Sequence, residues 1–303
     1  MRFAISIPQV VEDGAFDPDA LQRFLARAEE LGFESAWTQE QVLGTVPVLG
    51  PLETMAYAVA CTTRLRFGCA VLITTLHSPV HLAKSVSTLD QLSRGRVEIG
   101  VGTGGRRMFS AFGVVPETFV ARFSEGIELM KALWTQPEVK FAGRFWQVEG
   151  AAMEPKPFQK PYPPLWFGGN APTALRRAAR HGDGFIGAGS QTTAAFAEQV
   201  PVVREALAEQ GRTDFRIAKR VYLAVDDDVV RARERLSAAL ERLYSFFGVG
   251  DLTPVAVYGP PAACIEGLAA VAEAGAEMIL LNPLFDEAEQ MERLAADVMP
   301  HVG

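Results

Sequence analysis

Apolar runs of strand length alternate with stretches of helical period along nearly the whole chain. That alternation restricts the fold to βα units on a parallel sheet. The runs fall at Phe3–Ile7, Ser35–Thr38, Leu65–Ile73, Val97–Val101, Leu165–Gly168, Gly184–Ile186, Ile217–Val225 and Met278–Leu281, eight in all. Parallel strands are covered on both faces and read as continuously apolar, as Cys69-Ala70-Val71-Leu72-Ile73 and Met278-Ile279-Leu280-Leu281 do. Eight strands with helices between them fit a (β/α)₈ TIM barrel or a doubly wound open sheet. The barrel is favoured because its active-site loops tolerate insertions. In either fold the chemistry belongs beyond the C-terminal ends of the strands.

The helical stretches carry their own start and stop signals. Asp17-Pro18 opens the first as N-cap and first-turn proline, Leu21, Phe24, Leu25, Ala28 and Leu31 line one face, and Gly32 closes it. Ser78-Pro79 opens another, with Val80, Ala83, Val86, Leu89 and Leu92 as its apolar stripe and Gly95 beyond. Further helices are predicted at Glu117–Thr135, Thr173–His181, Thr193–Gln210, Val229–Phe247, Pro261–Ala274 and Glu287–Met299. The main interruption runs from Gln136 to Pro164, where six prolines surround Phe141-Ala142-Gly143-Arg144-Phe145-Trp146. It reads as a hairpin-like excursion and an extended return, inserted after the fourth βα unit and able to act as a lid. A second long connection spans Gly248 to Pro260. No composition shift marks a linker, so the 303 residues are expected to form one domain, 1–303.

Charge narrows the partners. With 29 basic and 36 acidic residues the net charge is −7, which disfavours nucleic acid and anionic membranes, so any anionic ligand must be bound locally. Cys61, Cys69 and Cys264 cannot all pair within one chain, lack CxxC spacing and sit in apolar stretches, which reads as buried thiols of a reducing compartment. No apolar run approaches the ~20 residues of a membrane helix, and the N-terminus does not read as a signal peptide. A cytoplasmic protein is expected.

Several local patterns could carry chemistry. Gly100-Val101-Gly102-Thr103-Gly104-Gly105 contains G-x-G-x-x-G after a strand. It is not on the first βα turn and Gly105 leads into Arg106-Arg107, so a dinucleotide fingerprint is disfavoured. Glycines at a strand end still let a flat ligand approach the backbone. Gly168-Gly169-Asn170-Ala171-Pro172 joins a strand to a helix, with Asn170 as cap candidate and free N–H groups suited to phosphate. A plain capped turn explains the same residues. Arg176, Arg177 and Arg180 read as a solvated face. Glu40 and Gln41 end the second strand, and Glu40 reads as a proton carrier, a hydrogen-bond acceptor or a solvated loop residue. His77 falls just past the third strand. Its spacing to His81 across Pro79 and the lack of completing ligands argue against metal. No G-x-S-x-G elbow or P-loop occurs, and Asp226-Asp227-Asp228 reads as a capped helix start.

Taken in order, Gly32-Phe33-Glu34-Ser35-Ala36-Trp37, Ser78-Pro79-Val80-His81-Leu82-Ala83-Lys84, Thr88-Leu89-Asp90-Gln91-Leu92-Ser93-Arg94-Gly95-Arg96, Gly100-Val101-Gly102-Thr103-Gly104 and Gly168-Gly169 with Arg180-His181-Gly182-Asp183-Gly184-Phe185 resemble the luciferase-like monooxygenase family. More narrowly they resemble its branch that uses the deazaflavin coenzyme F420. The resemblance runs from residue 1 to about 190, with a weaker tail to the end. It implies a (β/α)₈ barrel holding the tricyclic ring in its mouth, against a non-prolyl cis peptide at Ala70-Val71. Thr103 and Gly104 match residues that touch the cofactor, Gly168, Gly169 and Asn170 match the loop near its phosphate-bearing tail, and Ala188 completes the cofactor set. Relatives commonly form homodimers through barrel helices.

The same resemblance marks departures. Sugar-phosphate dehydrogenases of the branch carry Asp-His where this chain has Glu40-Gln41, a glutamate where it has Gly105, and a lysine where it has Gln191. A sugar phosphate is therefore not the expected substrate. The expected activity is hydride transfer between F420 and a small organic molecule, with Glu40, Gln41 and His77 as polar contacts at the reacting centre. The rivals are an FMN-dependent monooxygenase of the same fold and a non-catalytic flavin-binding protein.

Overall fold

The computed structural model describes residues 1–11 and 14–303, with Met108 described in its backbone alone. In chain order the elements are β1 (Arg2–Ser6), α1 (Pro18–Glu30), β2 (Ser35–Thr38), α2 (Pro51–Cys61), β3 (Arg66–Ile73), α3 (Pro79–Ser93), β4 (Val97–Gly102) and α4 (Phe119–Thr135). Then come β5 (Val139–Ala142), β6 (Gln147–Ala151), β7 (Leu165–Gly168), α5 (Pro172–His181), β8 (Gly184–Gly187) and α6 (Thr193–Ala208). The chain finishes with β9 (Arg216–Val225), α7 (Val229–Tyr244), β10 (Val257–Gly259), α8 (Pro261–Glu273), β11 (Met278–Asn282) and α9 (Glu287–Arg293). Eight strands, β1, β2, β3, β4, β7, β8, β9 and β11, pair in parallel and close through β8 on β9 and β11 on β1, giving the expected barrel. β5 and β6 form a separate antiparallel pair, and β10 adds to the end of β9 at Leu223–Val225.

Side chains alternate between the barrel interior and the helical layer because successive strand residues point to opposite faces. The inner cluster is Ala4, Trp37, Trp166, Ile186, Ala218, Met278 and Leu280, with Ala70 and Val71 packed on it. The outward residues, among them Ile5, Phe67, Ile99, Phe167 and Ile279, join the helices in the larger core. Trp37 and Trp166 dominate the interior and meet edge to face at 5.9 Å. Both need a neighbouring strand without a side chain. A Cβ on Gly68 would come within 2.5 Å of Trp37, and one on Gly184 within 2.4 Å of Trp166. Their indole N–H groups are satisfied by Ser35 Oγ at 2.8 Å and Glu98 Oε2 at 2.6 Å, and Arg66 Nε donates to the other Glu98 oxygen at 2.6 Å.

Some local expectations need correction. Asp17 caps α1 through Oδ1, and Asp228 caps α7, as expected. Val80 and Leu92 are exposed, the latter at 65%, because α3 presents Leu82, Ala83, Val86 and Leu89 to the core. α2 escaped prediction because PLETMAYAVAC is apolar around most of its circumference and Gly50 supplies no side-chain cap. The last helix ends at Arg293 and continues as wider and tighter turns to His301. Cys69 and Cys264 are buried free thiols, whereas Cys61 is partly exposed. No helix among the described residues is long and apolar enough to cross a membrane.

Overpacking the interior should be costly at one kind of glycine and free at another. Gly68→Ala and Gly184→Ala are each expected to lose ~1–3 kcal/mol in urea unfolding. Gly105→Ala, where a Cβ meets nothing within 4 Å, should change stability by less than about 0.5 kcal/mol.

A candidate cofactor cleft at the barrel mouth

The site begins with an irregularity in β3. Its pairing with β4 shifts register between Cys69 and Leu72, and the Ala70-Val71 peptide is cis, the isomer the resemblance implied at that position. Val71 is thereby laid against two neighbouring strands that have no side chain in its way. A Cβ on Gly102 would sit 2.6 Å from Val71 Cγ2, one on Gly168 3.1 Å from Val71 Cγ1, and one on Gly100 2.0 Å from the Cys69 carbonyl oxygen. The glycine run of β4 therefore serves the close approach of β3 before it serves any ligand. Gly104, at φ +67°, turns the chain away over Ile73.

Above this floor lies a cleft of about 360 Å³, within the range of small-molecule sites. Ala70, Val71, Thr103 and Gly104 line one side, and Gly168, Gly169, Asn170 and Ala188 another, so all eight expected cofactor positions face one space. Gly102, Gly187 and Gly189 add low walls of bare backbone. An apolar floor between glycine walls suits a flat ring system. At the far edge, Ala171 rather than Asn170 is the N-cap of α5. Pro172 takes the first helical position and holds Ala171 extended, at ψ 145°. No side chain caps this turn, Pro172 has no N–H and the Ala174 N–H closes on the Ala171 carbonyl at 2.8 Å, so the Thr173 N–H is the one left for a phosphate-bearing tail.

Glu40, Gln41 and His77 do not line this cleft. Glu40 Oε1 lies 2.7 Å from His77 Nε2, and its Oε2 accepts the backbone N–H of Ile73 at 2.5 Å. The Glu40 side chain is almost fully buried, while that of His77 is 28% exposed. Through Ile73, which packs under Gly104, the pair is coupled to the cleft wall. Burial opposes the imidazolium, but the hydrogen bond and charge of Glu40, with a smaller contribution from Glu53, raise the His77 pKa above its ordinary value. Gln41 does not join the pair. Its Nε2 is buried without a partner, folded over Gly44.

Sequence reading missed the cation of the inner wall. Arg220 occupies an inward position of β9 and lines the cleft together with Tyr222. Its Nε donates to Asn282 Oδ1 at 2.6 Å, its Nη2 to Gln39 Oε1 at 2.6 Å and Tyr244 Oη at 3.1 Å, and its Nη1 to the Ala70 carbonyl at 3.4 Å. The signal was available. Lys219-Arg220 is a pair of charges inside an otherwise apolar strand. Lys219 points the other way and donates to the carbonyls of Ala188, Gln191 and Arg220, pinning the loop after β8, and burial lowers its pKa to about 8.

The Gln136 to Pro164 segment supplies no wall to the cleft. Glu125 accepts the backbone N–H groups of Arg144, Phe145 and Trp146, and the Trp146 ring lies under the Arg122 guanidinium at 4.6 Å. Those contacts hold it against α4, so the segment does not cover the cleft and Phe145 and Trp146 do not border it. The arginines after Asn170 also divide, since Arg176 pairs with Glu205 and Glu209.

The Glu40–His77 pair gives a direct test. His77 should titrate above 6.5 by NMR, and Glu40→Gln, which leaves burial as the largest influence, should move it below 6.5. Because the folded-state pKa is raised, the pair's stabilisation is complete below the unfolded value. It is lost as pH rises through the folded one, and Glu40→Gln should flatten that dependence.

The luciferase-like monooxygenase family profile matches residues 1–250. The F420-dependent glucose-6-phosphate dehydrogenase of Kineococcus radiotolerans is 32% identical over 232 residues, 72% of this chain and 68% of that protein. The enzyme of the same name from Intrasporangium calvum is 26% identical over 94% of this chain and 95% of its own. Among solved structures, the monooxygenase RslO1 from Streptomyces bottropensis superposes with a TM-score of 0.86 at 24% identity over the full length of both chains. An F420-dependent secondary alcohol dehydrogenase in complex with an F420-acetone adduct superposes with a TM-score of 0.84 at 20% identity, over 100% of this chain and 99% of that one. The oxygenating constituent of 3,6-diketocamphane monooxygenase from Pseudomonas putida, in complex with FMN, reaches 0.83 at 18% with the same coverage. With the barrel closed and the family profile spanning most of its length, this chain belongs to the luciferase-like monooxygenase family.

Proposed function

We propose that this chain is an F420-dependent oxidoreductase, a single-domain barrel that transfers a hydride between the deazaflavin and a small organic substrate. The observation that carries the reading is the convergence of eight expected cofactor positions, from β3, β4, β7 and β8, on one cleft with a cis Ala70-Val71 floor. The relatives named F420-dependent glucose-6-phosphate dehydrogenase support the cofactor. Glu40-Gln41, Gly105 and Gln191 argue against a sugar phosphate as substrate.

When bound, the cofactor supplies the hydride chemistry at its central ring. Ala70 and Val71 would lie under one face of the ring and leave the other to substrate. Thr103, Gly104, Gly168 and Ala188 would border its edges, and the N-terminus of α5 with Asn170 would hold the anionic tail despite the chain's net negative charge. His77 Nε2 is committed to Glu40, and the buried carboxylate fixes the tautomer, leaving Nδ1 as the ring nitrogen outside the pair. The segment from 136 to 164 is read as an insertion between the fourth βα unit and β7, bracing α4. The protein is read as a cytoplasmic homodimer through barrel helices, consistent with the exposed Leu92 of α3.

Fluorescence titration with F420 and, separately, FMN tests the assignment. Micromolar binding of F420 and much weaker binding of FMN are expected. FMN bound in place of F420 would identify a flavin monooxygenase instead, and binding of neither would leave a non-flavin protein. Ala188→Phe, which fills the cleft from a loop position, should weaken F420 by at least roughly tenfold, about 1.4 kcal/mol, with little change in melting temperature.

A further inference from the structure

Arg220 is the one inward cation on the cofactor side of the mouth whose partners, among the described residues, are all neutral: Asn282, Gln39, Tyr244 and the Ala70 carbonyl. Its Nη1 makes a single long contact, 3.4 Å to Ala70, which leaves one N–H of that nitrogen without a partner. A guanidinium held in a partly dry site by neutral acceptors alone has given up water without gaining a counter-charge. The same side chain borders two spaces. On one side is the cofactor cleft, and on the other a largely apolar recess whose polar lining is Ser6, Gln9, Thr38, Gln39, Asn282 and, at its border, Glu287. The recess has about 30 Å³ of free space, room for a group of two or three heavy atoms.

We infer that Arg220 is an anion-recognition residue for the substrate, and that the substrate carries a carboxylate close to the carbon that exchanges hydride. This rests on the cofactor reading of the cleft. Arg220 touches the carbonyl of Ala70, the residue on which the ring would lie, so a carboxylate against its Nη1 edge places the neighbouring carbon beside the ring. The free N–H of Nη1 offers a carboxylate oxygen one charge-assisted hydrogen bond. A phosphate fits less well, because the recess is small and the second cation, Lys219, spends its donors on three backbone carbonyls. One available positive charge meets one negative charge. Gln39 adds to the fit, since its Oε1 is taken by Arg220 and Tyr244 and its amide hydrogens remain for a second acceptor.

The test uses propionate, propionamide and inorganic phosphate, with chloride to equalise ionic strength. Binding is read by calorimetry and melting temperature on the full chain, with and without F420. The wild type should bind propionate at least roughly tenfold more tightly than propionamide or phosphate. Arg220→Gln should abolish that preference, and Arg220→Lys should retain it at reduced strength. The inference is overturned if wild type shows no preference for propionate, or if Arg220→Gln binds it unchanged. It is also overturned if Arg220→Gln loses F420 and keeps propionate, which would assign the guanidinium to the ring. Should Arg220→Gln not fold, the wild-type preference and its retention in Arg220→Lys decide the matter. Propionate binding through Arg220 without any F420 binding would instead retire the cofactor reading and leave the anion site standing.

Discussion

Much of this molecule depends on the contact of Val71 with two strands that carry glycine where it lies. Because Gly102 and Gly168 have no Cβ, β3 can swing across the mouth of the barrel and present the Ala70-Val71 peptide as a surface. Any side chain at Gly100 would strike the Cys69 carbonyl at 2.0 Å. The cleft is thus made by subtraction. Its floor is β3, its walls are the strands that make room for β3, and its shape requires several strands to be coordinated.

Below that floor the barrel is filled by two tryptophans and above it by polar groups, a gradient along the strand axis. Trp37 and Trp166 seal the interior with their N–H groups satisfied, so water has no reason to penetrate further. One inward position above, two residues further along each strand, stand Ala70, whose carbonyl accepts a hydrogen bond, Arg220 and Asn282. On these three strands the transition from packing to chemistry therefore occurs within one inward step.

The eight barrel strands were legible in the sequence because burial on both faces makes them continuously apolar, and the end signals at Asp17-Pro18 and Ser78-Pro79 located two of the helices. α2 was hidden by the lack of a polar face, and β10 by its three residues inside a long connection. The expected cofactor positions came from motif resemblance, and geometry gave the nearby glycines a packing role as well, Gly102 and Gly168 against Val71 and Gly104 against Ile73. Arg220 was readable in principle, as a charge pair inside an apolar strand. Alternation alone does not say which of two adjacent charges faces inward, and only the register of Arg220 against Leu280 decides it. The Glu40–His77 contact joins residues 37 apart in sequence, from two different strand ends, and no local pattern encodes it.

Closure has a consequence for the order of events during folding. β1 pairs with β11, joining Arg2 to Met278 and Ile5 to Leu281. The floor and the first wall of the cleft are synthesised early, while Arg220 and its partner Asn282 arrive near the end of the chain. A barrel short of its last strands would hold the glycine walls without the guanidinium. Contacts this distant in sequence form late and slowly. The guanidinium side of the mouth is therefore completed only when β11 has paired with β1 and β9.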